Sequence, residues 1–208
     1  MKANDLSVVI SAPSGAGKTT LIKKLLLADD RMEFSISTTT RLKRAGETGG
    51  NSYHFVSEVE FRDMIENGDF IEWALVHGNY YGSTKKEIDR ILLAGKIPIF
   101  DVDVQGARAL RSKLDSAVYI FVAPPSREVL ESRLRNRKTD SEEQIQMRMR
   151  NAVRELREYA LYDYIVINDD LDTALNQIRS IVTAELCKND RVSHIINGIL
   201  EEGRDNTA

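Results

Sequence analysis

Residues 12 to 19 read Ala-Pro-Ser-Gly-Ala-Gly-Lys-Thr. Glycines, a lysine and a hydroxyl residue at this spacing suit one chemistry, the holding of a chain of phosphates. Gly15 and Gly17 let backbone N–H groups curl around phosphate oxygens, where a side chain would obstruct the turn. Lys18 supplies a mobile positive charge to β- and γ-phosphates, and Thr19 offers a hydroxyl to Mg²⁺. A helix starting here adds the partial positive charge of its N-terminus. Ala12 stands where the G-x-x-x-x-G-K-[ST] form has its first Gly. A strand-end residue at negative φ accepts that change.

The segment 37 to 47, Ser-Thr-Thr-Thr-Arg-Leu-Lys-Arg-Ala-Gly-Glu, places Arg41 and Arg44 three apart in a Gly/Thr-rich turn. Guanidinium forks bind a phosphate dianion bidentately, and Tyr53 and Tyr81 could add phenolic donors. A solvated basic loop would look the same from the arginines alone. Glu72 lies between Ile71 and Trp73. If those two face a core from a strand, Glu72 faces solvent or a cleft, and a plainly exposed Glu is the commoner explanation. Asp101 and Asp103 close an apolar strand, where carboxylates meet ligands in α/β sheets. Arg133 and Arg137 stand four apart, with Arg148 further on.

These side chains need elements to position them. Leu6–Ile10, Ile97–Val102, Val118–Ala123 and Tyr164–Ile167 read as buried strands separated by helical patterns. That alternation predicts an α/β fold with a parallel sheet and right-handed crossovers. Ser57 with Glu60, Thr84 with Glu87 and Ser141 with Gln144 predict helix starts, and Gly68 and Gly95 predict stops. A last core helix is expected from Asp170. About sixty residues after the first helix differ in character, with short alternating strands at Phe34-Ser-Ile-Ser, Tyr53-His-Phe-Val and Phe70-Ile-Glu-Trp-Ala. They read as a small inserted subdomain. The zone from Ser126 to Ser141 is dense in Arg and expected to be irregular. Val192, Ile195, Ile196, Ile199 and Leu200 predict a terminal amphipathic helix, packed on its own core or on a second subunit.

In order along the chain, the loop at 12–19, S-T-T-T-R-x-x-R-A-G-E, Y-H-F-V, F-I-E-W-A, G-N-Y-Y-G-S, D-V-D-V-Q-G, R-L-R-N-R-K-T-D and V-I-N-D-D resemble the guanylate kinases from about Leu6 to Asp170. The resemblance implies a P-loop NTPase-type parallel sheet flanked by helices, with core 1–33, 85–125 and 142–208. It implies a mixed α/β insert, 34–84, for the nucleoside monophosphate, and an Arg-rich lid, 126–141. The implied reaction moves the γ-phosphoryl of ATP to GMP, with Mg²⁺ as cofactor. ATP would meet Ala12, Pro13, Ser14, Gly15, Ala16, Gly17, Lys18, Thr19, Thr20 and Asn168. GMP would meet Ser37, Arg41, Arg44, Tyr53, Glu72, Tyr81, Ser83 and Asp103. Lys18, Arg41, Arg137, Arg148 and Asp101 would act on the transferring group, Thr19 and, through water, Asp101 on Mg²⁺. The roles of Asp101 and Asp103 could be exchanged. Lys138 stands where many relatives have Gly. A catalytically silent protein-binding module, or a kinase for another monophosphate, are the alternatives.

The guanine assignment agrees with elementary chemistry. Guanine shows an acceptor, O6, beside two donors, so its reader needs hydroxyls such as Ser37 and Ser83 and a carboxylate such as Glu72. Adenine reverses that polarity and leaves the carboxylate unpaired. Such sites discriminate by about 10⁴ or more.

A chain of 208 residues, 42% hydrophobic and 29% charged, suits one compact domain, and a formal net charge of −3 gives no global field for nucleic acid. The single Cys187 excludes an internal disulfide, and His54, His77 and His194 lack metal-ligand spacing. The N-terminal apolar run is too short for a signal-peptide core or a membrane span. A cytoplasmic location is expected.

Overall fold

The computed structural model describes residues 6–44, 47, 49–50, 53–76, 78–136 and 141–202. Its centre is a parallel sheet of β1 Ser7–Ser11, β2 Met32–Phe34, β7 Ile97–Asp101, β8 Ala117–Ala123 and β9 Tyr164–Ile167, in the order β2-β7-β1-β8-β9. Alternation along the strands loads both faces. Val8 and Ile10 pack with Leu21 and Leu25 of α1 (Lys18–Ala28) and with Ile178 and Val182 of α7 (Leu171–Leu186). Val9, Phe100 and Phe121 pack on the other face, against Ile88 of α3 (Lys85–Leu93) and Leu110 of α4 (Val104–Arg111). Burial on both faces is why β1, β7 and β8 read as continuous apolar runs, whereas β9, which reads as buried in sequence, lies at the sheet edge with Val166 buried and Ile165 and Ile167 exposed.

A second sheet interrupts the chain between β2 and α3. It comprises β3 Thr38–Thr39, β4 His54–Phe55, β5 Phe70–Val76 and β6 Asn79–Thr84, in the order β4-β3-β6-β5. The pair β3/β4 is parallel, while β5/β6 and β3/β6 are antiparallel. Helix α2 (Glu58–Glu66) closes it through Phe61, stacked 4.3 Å from Phe70. The expected caps are present. Ser57, Thr84 and Ser141 accept from the third helical N–H, and Ser141 with Gln144 forms a reciprocal box. Gly68 and Gly95 take φ of 69° and 72° just past α2 and α3.

Three expectations are corrected. The strand expected at Phe34-Ser-Ile-Ser is Met32–Phe34, and it lies on the core sheet beside β7, with Met32 buried. Three residues are too few to display their period. In the zone expected to be irregular, Arg127–Arg135 is a helix, α5, with Ser126 accepting from Val129 N–H, while 137–140 lie outside the described residues. Its Leu130 and Leu134 are buried against Met149 and Ala152 of α6 (Glu142–Leu156), a stripe that the arginine density masks. Ile71 and Trp73 do not share a core face. The ladder is irregular between Phe70 and Glu72, Ile71 packs on the core, and Trp73 is 46% exposed.

The tail forms α8 (Asn189–Glu202). Ile195, Ile196, Ile199 and Leu200 are 54 to 62% exposed, so they are not packed on the chain's own core.

Candidate active site

The phosphate loop joins β1 to α1 at the C-terminal edge of the parallel sheet. Gly15 and Gly17 both adopt φ of 92°, which L side chains rarely adopt. A Cβ on Gly15 would press on Leu130 and Leu134, and one on Gly17 would meet Asn168 Nδ2 at 2.5 Å. The loop is therefore fitted to neighbours on both sides. Buried Asn168 donates from Nδ2 to Ala16 O at 2.7 Å, and Arg133 Nη2 donates to Asn168 O at 2.9 Å. Ala12 and Pro13 are buried, and Ser14 is half-buried. Thr19 and Thr20 lie exposed in the first turn of α1.

Lys18 crosses to the end of β7. Its Nζ lies 2.6 Å from Asp101 Oδ1 and donates to Val102 O at 2.6 Å. Asp103, one alternation further, caps α4 by accepting from Gly106 N–H at 2.8 Å. On the other side of the loop Glu155 of α6 accepts from Ser14 N–H at 3.1 Å. Burial raises the Glu155 carboxyl above the ordinary range, and the Ser14 N–H and the Lys18 charge oppose that rise.

The insert presents a second cluster. Tyr53 and Tyr81 meet edge to face at 5.9 Å, and the Arg41 guanidinium lies 5.3 Å from the Tyr53 ring centre. Arg41 also pairs with Glu47 at 2.7 Å, while Glu47 accepts from Arg44 N–H at 2.8 Å. The arginine pair is thus held by a carboxylate within its own turn. Below it, Ser83 Oγ donates to Glu72 Oε1 at 2.8 Å. Ser83 is buried and Glu72 half-buried, so Glu72 is not a plainly exposed residue. Burial raises the Glu72 carboxyl, Ser83 opposes the rise, and the charge of Asp103 adds to it. Ser37 is half-buried, its carbonyl accepting from His54 N–H at 2.9 Å.

The insert meets the end of β7 through packing: Ile71, beside Glu72, shares one cluster with Val102 and Val104, which flank Asp103. Burial raises the Tyr53 phenol, and Asp101 is among the charges that add to the rise, as Asp103 is for Glu72. Both aspartates stand at the C-terminal end of β7, beside Lys18. Arg148 is half-buried on α6, while Arg137, Lys138 and His77 lie outside the described residues. Arg135 pairs with Glu131 and Glu142 on the exterior. Glu155 and the contacts of Arg133 with the loop are not readable from sequence. Their partners lie 141 and 117 positions away, and no local spacing announces them.

Among the described residues no group of three or more His, Cys, Asp and Glu is arranged to hold a metal, and no helix is long and apolar enough to cross a membrane.

Comparison with known proteins extends this geometry. A family model described as guanylate kinase matches residues 5–185. The guanylate kinase of Myxococcus xanthus is 50% identical over 188 residues, covering 90% of this chain and 90% of that protein. That of Geobacter metallireducens is 43% identical over 203 residues, covering 98% and 100%. The crystal structure of guanylate kinase from Anaplasma phagocytophilum superposes with a TM-score of 0.72 at 32% identity, covering 92% of this chain and 91% of that one. The matched stretch takes in the phosphate loop, the insert and the arginine-bearing helices alike, and the chain belongs to the guanylate kinase family.

Proposed function

We propose that this chain is an ATP:GMP phosphotransferase, moving the γ-phosphoryl of ATP to GMP to give ADP and GDP. The observation that carries the reading is Lys18 of the phosphate loop standing 2.6 Å from Asp101 at the end of β7, with Ile71, the neighbour of Glu72, packed in one cluster with Val102 and Val104 on either side of Asp103.

ATP lies along the loop from Ala12 to Thr20. Lys18 leaves Asp101 for the β- and γ-phosphates, and Arg148 and Arg137 neutralise the migrating group. Catalysis of this kind rests on positioning and charge, because the GMP phosphate is already an anionic nucleophile. Arg41, Arg44, Tyr53 and Tyr81 hold that phosphate. The Ser83 hydroxyl has one proton, and in the free protein it goes to Glu72. Guanine N1–H and its amine replace it as donors to Glu72, which frees Ser83, with Ser37, to donate to O6. Asn168 supports the loop from beneath.

The site fits Mg²⁺. Thr19 and Asp101 offer hard oxygen donors beside the loop, and a cation that keeps several waters and phosphate oxygens needs no more from the protein. Thr19 and, through water, Asp101 would hold the ion, which would supply positive charge to offset that of the phosphates. With ATP and GMP as substrates, the reaction belongs to the cytoplasm. The exposed stripe of Ile195, Ile196, Ile199 and Leu200 packs against the same stripe of a second copy. Sedimentation reads this directly: a dimer that Ile196→Glu converts to monomer is expected, and a wild-type monomer at tens of micromolar would refute it.

Coupled ADP release with Mg²⁺·ATP and each of GMP, AMP, CMP, UMP and dTMP tests the reaction. Turnover with GMP alone is expected. Preference for another monophosphate would discard the reading of Glu72. No turnover by a folded protein would favour a silent binding module.

A further inference from the structure

Glu87 is a buried carboxylate, 6% exposed, with no part in the chemistry above. It sits where the chain crosses between core and insert. The chain enters the insert through 35–37, after β2, and leaves it through Thr84, into α3. Glu87 touches both crossings. Its Oε1 accepts from Ile36 N–H at 3.3 Å, next to Ser37. Its own N–H donates at 3.3 Å to the hydroxyl of Thr84, next to Ser83. Across the insert, His54 Nε2 of β4 lies 3.9 Å from Oε2.

The carboxylate is held from the core side. Arg90 donates from Nε to Oε2 at 3.0 Å and from Nη2 to Oε1 at 2.9 Å. Its Nη1 pairs at 2.7 Å with Glu33 of β2, which also meets Lys96 at 3.2 Å. Both carboxylates push Arg90 above its ordinary range, so the fork stays charged. A two-point guanidinium grip fixes orientation as well as distance.

From these contacts we infer that Glu87 is a specificity-positioning residue that sets the separation between Ser37 and Ser83, the two hydroxyls that read guanine O6. The inference rests on the acceptor reading above. Thr84, next to Ser83, caps the helix that carries Glu87 through a backbone N–H that substitution leaves in place, and the Glu87 side chain ties that helix start to Ile36, next to Ser37; hydrogen-bond readout of a base fails when its donors drift apart. ATP, on the loop at the far side of β1, does not meet this clamp.

Kinetics of wild type, Glu87→Ala and Glu87→Gln with GMP and with 6-thio-GMP, which keeps N1–H and the amine for Glu72 and replaces O6 by a weakly accepting sulfur, test this. Glu87→Ala should raise KM for GMP about tenfold, the scale of one buried acceptor lost. The preference for GMP over the 6-thio analogue should fall by a similar factor, with KM for ATP unchanged. Glu87→Gln keeps an acceptor for Ile36 N–H and should recover most of the loss. A merely structural residue would raise both KM values together and leave the preference intact, and that result overturns the inference. Should the Ala variant not fold, Arg90→Gln, which loosens the grip from the core side, must lower the same preference or the inference fails. A wild type that ignores GMP would overturn the acceptor reading itself. An active wild type whose variants keep full preference overturns this inference alone.

Discussion

Lys18→Ala should leave a folded protein whose phosphoryl transfer falls by roughly 10³-fold, the scale of a preorganised donor removed from a developing charge. The side chain already points at the reaction's location. It lies 2.6 Å from Asp101, and an arriving phosphate competes for the same ammonium. Removing it deletes the charge aimed at the β- and γ-phosphates and leaves the Asp101 carboxylate to repel them. The fold loses little, because the pair is partly solvated and no apolar packing is lost. Coupled ADP release gives the rate and a thermal melt gives the fold. A variant within tenfold of wild-type turnover would remove the loop from the mechanism.

Glu72→Gln should lower kcat/KM for GMP by about 10²-fold while KM for ATP holds. A carboxylate accepts from both guanine N1–H and the amine, whereas an amide sets its own donors against one of them. Hydrogen bonds to charged groups contribute about 1.5 to 3 kcal/mol each. Equal losses for both nucleotides would make Glu72 structural. The pH dependence gives a second check. Burial raises the Glu72 carboxyl, so the free enzyme protonates it at a higher pH than an ordinary Glu. Only the ionised form accepts both guanine donors. kcat/KM for GMP should therefore fall as pH drops through that raised value, and the Gln variant should lack this limb. Stability runs the other way. A carboxyl raised in the folded state binds more protons there than when unfolded, so its contribution declines as pH rises from the unfolded value through the folded one. Above the raised value the wild type carries that penalty in full. The substituted amide is free of it and can still accept from Ser83, so the variant should melt no lower than wild type.

The strands around the loop were legible because burial on both faces writes itself as an apolar run. Val8, Val9 and Ile10 need no distant information to be read. Helix starts were legible for the same local reason, since Ser57, Thr84 and Ser141 act on an N–H three residues on. What escaped depends on distance along the chain. Leu130 and Leu134 are a core stripe only because Gly15 and α6 lie against them, and the arginines at 127, 133, 135 and 137 obscure them. Met32–Phe34 is a strand because β7 offers it an edge. Thr84 and Glu87 matched a capping pattern, yet the Glu87 side chain turns away to Ile36 and Arg90. Of the candidate site, the loop and Glu72 with Ser83 rest on local chemistry. Glu155 on Ser14 is a tertiary fact alone.

The support beneath the loop has a consequence for synthesis. The phosphate motif leaves the ribosome well before the strands that flank it, so β1 has no sheet partner until β7 and β8 follow. The amide that holds Ala16 O belongs to Asn168, and the leucines against Gly15 belong to α5. Non-local pairings of this kind form late and slowly. A nascent chain halted before β9 therefore displays every residue of the motif and lacks the Asn168 amide that holds Ala16 O. The loop therefore takes its final shape only after β9 and the Asn168 that follows it have joined the sheet.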